Sequence, residues 1–597
     1  MSKIEDIRLR KQLVDVAMGR IPASMVIRNG KWLCVQSGEI LPATDIAIIE
    51  GRIAYVGPNA NHTISKETQV IEAEERYLVP GLLDAHMHIE SGMLTVTEFV
   101  RAVIPHGTTG MFVDPHEIAN VFGLQGVRLM VDEAAIQPIH VWVQAPSCVP
   151  SAPGLETPGA AIGPEEVAEA MTWDGIIGLG EVMNFVGVYL NDEKMHAEMA
   201  EARLASKVIG GHYASPDLGL SFHGYVAAGA EDDHEGTRLE DALARVRQGM
   251  KAMLRLGSAW HDVDAQVKAI TEMGLDGRHF ILCTDDSHCE TLVSEGHIDR
   301  AVRGAISQGL SPIQAIQMAT INSAEHFKVS GEVGMIAPGR FADILLVKDL
   351  PQFSADLVIG KGVVLAKSGE MVTDLPAYPY PGWVKDSVHL KVPLTEADFR
   401  FRYRGSKPAL RAHVIGVIEN QAPTRHLQME VMVRDGDVVL EPADGLAKIA
   451  LVERHHNTGR LQLGLVHGFG FDIPCAIAST VAHDCHHLII VGNNEADMAL
   501  AGNELARIGG GQIVVSQGKV IGKVNLPIAG LMSNERADIV AQKAASVLHG
   551  FRTCGCKLNN PNMQLSLLAL VVIPALRISD KGLVDVEKFD FVPVFKD

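Results

Sequence analysis

From Met25 onward, apolar and polar positions follow the short, alternating pattern of half-buried strands: Met25-Val26-Ile27, Asp45-Ile46-Ala47-Ile48-Ile49 and Ile53-Ala54-Tyr55-Val56, with Gly-containing turns between them. The same texture returns at Ala342-Asp343-Ile344-Leu345-Leu346-Val347, at Leu357-Val358-Ile359 and at Val363-Val364-Leu365. Two such pieces, 25–77 and 331–380, predict a small β-domain interrupted by a long insertion. Ahead of them, Ile4, Ile7, Leu9, Leu13 and Val16 recur at helical spacing. That predicts an amphipathic helix between Met1 and Arg20, within an N-terminal segment 1–24, and not a signal peptide, which needs an unbroken apolar core.

Within 78–330 the pattern changes. Short apolar runs alternate with helical stretches, and the runs end near His88, Asp114, Gln144, Glu181, His212, His234, Ser258 and Asp285. Eight strand–helix units predict a (β/α)8 TIM barrel with its active site at the C-terminal strand ends. The remainder, 381–597, reads as α+β. It has strands at Leu488-Ile489-Ile490-Val491 and Gln512-Ile513-Val514-Val515, and helices over 496–508 and 533–548. The expected fold class is therefore α/β: a metal-dependent (β/α)8 barrel inserted in a small β-sandwich domain, plus a C-terminal α+β domain. Gly509-Gly510-Gly511 and Ile359-Gly360-Lys361-Gly362 lack the spacing of a phosphate-binding loop and read as turns.

A chain of 597 residues, 47% hydrophobic and 21% charged, has material for two or three cores. Its formal net charge of −20 argues against a nucleic-acid polymer or an anionic membrane as partner, while leaving a neutral nucleobase open. Eight scattered cysteines suggest reduced thiols and no disulfide framework. Leu565 to Leu576 is too short for a membrane span and is broken by Pro574. The expected location is cytoplasmic.

Chemistry concentrates at the run ends. In Asp84-Ala85-His86-Met87-His88 alternate side chains share a face of a strand, so both imidazoles converge at its end. Glu181, His212, His234 and Asp285 close later runs. Each has a bland alternative: a core histidine for His212, a solvated acidic loop for His234, a helix cap for Asp285. Sharing one geometric address, four imidazoles and two carboxylates suffice for two divalent ions, with Glu181 bridging and a hydroxide between them. Nitrogen and oxygen donors without thiolate suit Mn, Fe(II) or Zn.

The Pro80-Gly81-Leu82-Leu83-Asp84-Ala85-His86-Met87-His88 opening, the later histidines and Asp285 resemble the amidohydrolase superfamily, as does Gly334 to Asp343. Glu181 stands where many members carry a modified lysine. Within that superfamily the chain resembles the bacterial adenine deaminases. The matching marks are His86-Met87-His88-Ile89-Glu90-Ser91, Asp114 to Val121, Gly180 to Asn184, Ala478 to Asp484 and Leu526 to Ser533. The resemblance implies hydrolysis of adenine to hypoxanthine and ammonia in purine salvage, by a metal-bridged hydroxide attacking C6. Asp285 would shuttle the proton, Glu90, His116 and Glu117 would hold or protonate ring nitrogens, and Asp286, Ser287 and His288 would orient ligands. His483 and Asp484 would close the site, in a homo-oligomer, expected to be a dimer. Two stretches depart from the family: Tyr213-Ala214-Ser215-Pro216-Asp217-Leu218 after His212, and the acidic Ala230-Glu231-Asp232-Asp233 before His234.

The sequence is compatible with other readings. One is another amidohydrolase reaction, such as deacetylation of N-acetylglucosamine 6-phosphate, which calls for a phosphate cradle. Another is a non-catalytic, amidohydrolase-like assembly protein. The unrelated zinc nucleobase deaminases need Pro-Cys-x-x-Cys, and after Pro474-Cys475 the second position is Ala478.

Overall fold

The structure, a computed structural model, describes residues 3–440 and 445–596. Met1 and Ser2, assigned from sequence to the first helix, lie outside the described residues; the helix runs Lys3–Ala17. Period-two alternation explains the first sheet. Met25, Ile27, Ile46, Ile48 and Ile53 are buried in one cluster with Leu78, Ile344, Leu346 and Ile359. Val26, Ala47 and Ala54 are buried in another, with Leu13 and Val16 of the helix. Each fully buried side chain of this size contributes about 1.5–3 kcal/mol. Tyr77–Pro80 pairs antiparallel with Ile344–Val347, Leu78 opposite Leu346, which joins the two halves in a single nine-stranded ladder. The strand that closes this sheet leads directly into the insertion.

The insertion carries nine strands: β1 (Leu82–His88), β2 (Thr108–Val113), β3 (His140–Ala145), β4 (Ile176–Val182), β5 (Val208–Gly211), β6 (Asp232–Asp233), β7 (Lys251–Arg255), β8 (Phe280–Cys283) and the two-residue Asp285–Asp286. β1 to β5 are neighbours in one parallel ladder and β6 to β8 in another. Just past β8, Asp285–Asp286 pairs parallel with Met87–His88 of β1, and Glu231 N donates to Ile209 O at 2.9 Å beside β5. The result is a curled parallel sheet. Every residue of β1 and β2 is buried, as expected of strands covered on both faces. Of β1 to β8, seven end within two residues of the positions read from sequence. The exception is β7, which stops at Arg255, three residues before Ser258.

The C-terminal part forms a ten-stranded sheet that includes Leu488–Gly492 and Gly511–Ser516. The helix expected over 496–508 spans Glu495–Ile508; the Asn494 side chain caps it, and Gly509 ends it at φ 81°. The helix expected over 533–548 lies further on, at Ala537–Thr553. This part rests on the C-terminal side of the parallel sheet. Ser533 N donates to Met93 O at 2.8 Å, and Thr157 N to Asp580 Oδ1 at 2.9 Å. Among the described residues no helix is long and apolar enough to cross a membrane.

Candidate active site

His86, His88, Glu181, His212, His234 and Asp285 converge at the C-terminal ends of the parallel strands. Their donor atoms form overlapping groups within 4.8 Å: His86, His88 and Glu181; His86, His234 and Asp285; and Glu181, His212 and His234. Glu181 is the hub. Its Oε1 lies 3.6 Å from His88 Nε2, and its Oε2 lies 2.5 Å from His212 Nδ1 and 3.0 Å from His234 Nε2. Asp285 Oδ1 is 3.2 Å from His88 Nε2 and 4.0 Å from His86 Nε2. Asp285 sits at φ 58°, a left-handed conformation that Asp tolerates better than most residues, where the chain turns out of β8.

These side chains fit divalent ions. His86 Nε2 is buried without a hydrogen-bond partner, and burial, then His234 and His88, push that imidazole down to about 4, so it is a neutral donor. His88 Nδ1 lies 2.8 Å from the Asp114 carbonyl, which can only accept, so Nδ1 donates there and Nε2 is the atom that faces Glu181 and Asp285, where an ion would take its lone pair. Burial opposes charge on Glu181, but His212, His234 and His88 outweigh it and hold the carboxyl well below the usual range. Asp114 anchors the frame further by accepting from Glu181 N at 2.7 Å.

The other expected residues form one wall. Glu90 Oε1 accepts from Ile118 N at 3.3 Å, while its Oε2 is buried and unpartnered. His116 Nδ1 faces Glu181 Oε1 at 3.3 Å. Glu117 accepts from Ser91 Oγ at 3.1 Å, and burial together with Glu90 pushes it up to about 8. Ser91 also bonds Asp286, and Ser258 Oγ accepts from His288 N at 2.9 Å. His483 reaches the wall from the C-terminal part, its Nδ1 3.7 Å from Glu117 Oε1.

Arg255 is the site residue missed in the sequence. It is 3% exposed and ion-pairs with Glu235, with Asp285 Oδ2 at 2.6 Å and with Asp262 Oδ2 at 2.8 Å. Burial alone would favour protonated Asp285; Arg255 leads the groups that outweigh it and keep the carboxyl well below its usual range. The signal was a lone arginine inside the apolar run Ala252-Met253-Leu254-Arg255-Leu256, since a buried arginine is nearly always paired. The two unusual stretches prove to be one support. Asp232 accepts from Gly211 N at 2.9 Å and lies 2.6 Å from His326 Nε2. Asp233 pairs with Arg245 at 2.9 Å and accepts from Tyr213 N at 2.5 Å. Asp232 and Asp233 before His234 are thus buried and paired, not part of a solvated loop.

Parallel strands whose ends gather an HxH pair, a glutamate, two histidines and an aspartate define a divalent-metal hydrolase of the amidohydrolase class. A family model described as Amidohydrolase family matches residues 77–365, and one described as Adenine deaminase C-terminal domain matches 421–590. The chain is 62% identical over 583 residues to a Mesorhizobium japonicum adenine deaminase, covering 98% of this chain and 96% of that one. It is 59% identical to adenine deaminase 3 of Rhizobium meliloti, covering 98% of each, and 51% identical to an adenine deaminase of Moorella thermoacetica, covering 98% and 97%. The chain belongs to the adenine deaminase family, enzymes that hydrolyse a C–N bond.

Proposed function

We propose that this enzyme hydrolyses adenine to hypoxanthine and ammonia. The carrying observation is the near-complete alignment with relatives named adenine deaminase, through both the parallel sheet and the C-terminal part. His86, His88, Glu181, His212, His234 and Asp285 would hold two divalent ions, Mn, Fe(II) or Zn, with Glu181 between them. Such ions, when bound, supply a water of lowered pKa and polarise the ring.

The chain's own residues then handle protons. Arg255 occupies Asp285 Oδ2, which leaves Oδ1 facing the histidines as the base that takes a proton from the attacking water. As the water oxygen bonds to C6 and the C6–N6 bond breaks, Asp285 returns that proton to the departing amine. Glu117, protonated at neutral pH, donates its proton to a ring nitrogen and regains one as the second proton of the attacking water leaves O6, while Glu90 and His116 position the ring from the same wall. His483 covers the mouth and excludes water. The closing contacts between β8 and β1 and beside β5 support reading the curled sheet as a closed (β/α)8 barrel spanning 78–330. The split β-domain, 25–77 and 331–380, then forms a sandwich-like unit, and 381–597 a third unit.

The test is product analysis of the metal-loaded enzyme with adenine, adenosine and N-acetylglucosamine 6-phosphate. Hypoxanthine with stoichiometric ammonia from adenine is expected. Acetate from the amino sugar, without ammonia from adenine, would overturn the reading.

A further inference from the structure

The cavity over the site is built by two parts of the chain. It measures about 510 Å³ and is lined by Glu90, Ser258 and His288 on one side and by Val481, His483 and Gln512 on the other. Gln512, on this second side, takes no part in the proton transfers of the proposed reaction. It is the second residue of the strand Gly511–Ser516, opposite Ser479 and Val524, and is 6% exposed. Among the described residues its carboxamide has no hydrogen bond, and Oε1 is buried with no partner. Its companions on the wall include the apolar Val481, Ala544 and Leu548. A buried amide left unpaired costs stability, and packing alone would be served better by Met or Leu.

The local backbone puts it there. Gly509, Gly510 and Gly511 hold φ of 81°, 111° and 141°, and a Cβ on Gly510 would meet Gly530 Cα at 2.5 Å. The glycine run therefore lets the start of the strand lie against the 526–533 loop, which also bonds Met93 beside the site. The nearby Gln564 is not equivalent, because its Nε2 already donates to Gln421 O at 3.2 Å.

A carboxamide presents an acceptor beside a donor and fits an edge that offers a donor beside an acceptor. On adenine, the edge remote from the reacting C6 amine has N9–H beside N3. A substituent at N9 removes that donor and blocks the edge. The cavity exceeds what a bare purine fills, so size does not exclude a nucleoside, whereas an unmatched hydrogen-bonding group does. We propose that Gln512 is a specificity-determining residue whose carboxamide pairs with N9–H and N3 of the purine and selects the free base over N9-substituted adenine. This inference rests on the deaminase reading.

The test compares kcat/KM for adenine and 9-methyladenine in metal-loaded, full-length wild type, Gln512→Met and Gln512→Asn. In Gln512→Met the value for adenine should fall about tenfold or more, and that for 9-methyladenine should change less than about threefold, so selectivity collapses by the same factor. Its melting temperature should be unchanged or higher. Gln512→Asn, one methylene shorter, keeps the polarity and should lose selectivity as well. Selectivity within about threefold of wild type in both active variants, or equal losses on both substrates, would overturn the role of Gln512. A wild type that releases no ammonia from either base would overturn the deaminase reading itself, and this inference with it.

Discussion

Replacing Arg255 with Met removes one buried positive charge while keeping most of the side-chain stem. The guanidinium contacts Glu235, Asp285 at 2.6 Å and Asp262 at 2.8 Å, and is 3% exposed. Breaking a buried ion pair from one side costs about 3–5 kcal/mol, because the carboxylates left behind stay desolvated. For a cooperative unit the size of the parallel sheet and its helices, that is a melting shift on the order of 10 °C at pH 7. The sign of the pH dependence follows from the partners. Burial opposes charge on Glu235 and Asp285, but Arg255 leads the groups that hold both below their usual range. Burial wins at Asp262 and pushes it up, so one guanidinium does not compensate all three acids. Stability from the two lowered carboxyls is present above the unfolded carboxylate pKa of about 4 and is lost as pH falls through their folded values. The gap between wild type and Arg255→Met should therefore hold from neutral pH down to about 4 and narrow only below that, as the two carboxyls protonate. Calorimetry of chelator-treated proteins across this range reads the effect without added stabilisation from bound metal. A gap under about 2 °C, or one that stays constant below about pH 4, would refute the assignment.

Asp285→Asn should retain bound metal yet lower kcat for adenine by about 10²–10⁴, as loss of a general base does; near-normal single turnovers would remove Asp285 from proton transfer. Glu181→Gln should reduce the metal content found by elemental analysis to one ion or fewer, and full occupancy would argue against a bridge. Glu117, pushed up to about 8, contributes stability that is complete below its unfolded value and lost as pH rises through 8. The alkaline fall of kcat/KM near that pH should accordingly disappear in Glu117→Gln, and its persistence would point to another acid.

Much of this architecture is legible along the chain because buried parallel strands are short, apolar and bounded by polar residues. His86 and His88 needed only the period of a strand to be placed on one face, and β1 keeps both buried on it. Glu181, His212, His234 and Asp285 were found for the same reason, each lying at or just past a strand end. Arg255 escaped because its charge is satisfied by residues 20, 7 and 30 positions away, contacts that leave no local pattern. His483, which meets Glu117 from 366 residues further along the chain, leaves no local pattern either and was placed at the site only by the family resemblance. Asp232 and Asp233 are what kept a solvated loop open as the alternative for His234. An acidic run reads as solvated until His326 and Arg245 are brought against it by the fold.

The central claim is that two divalent ions, held at the strand ends, equip this chain to deaminate adenine. The most direct measurement is reconstitution of chelated enzyme with increments of Mn, Fe(II) or Zn, following ammonia and hypoxanthine. Product formation should be absent without metal and should rise to a plateau at two equivalents per chain. Undiminished turnover by metal-free protein, or no hypoxanthine at any loading, would contradict it.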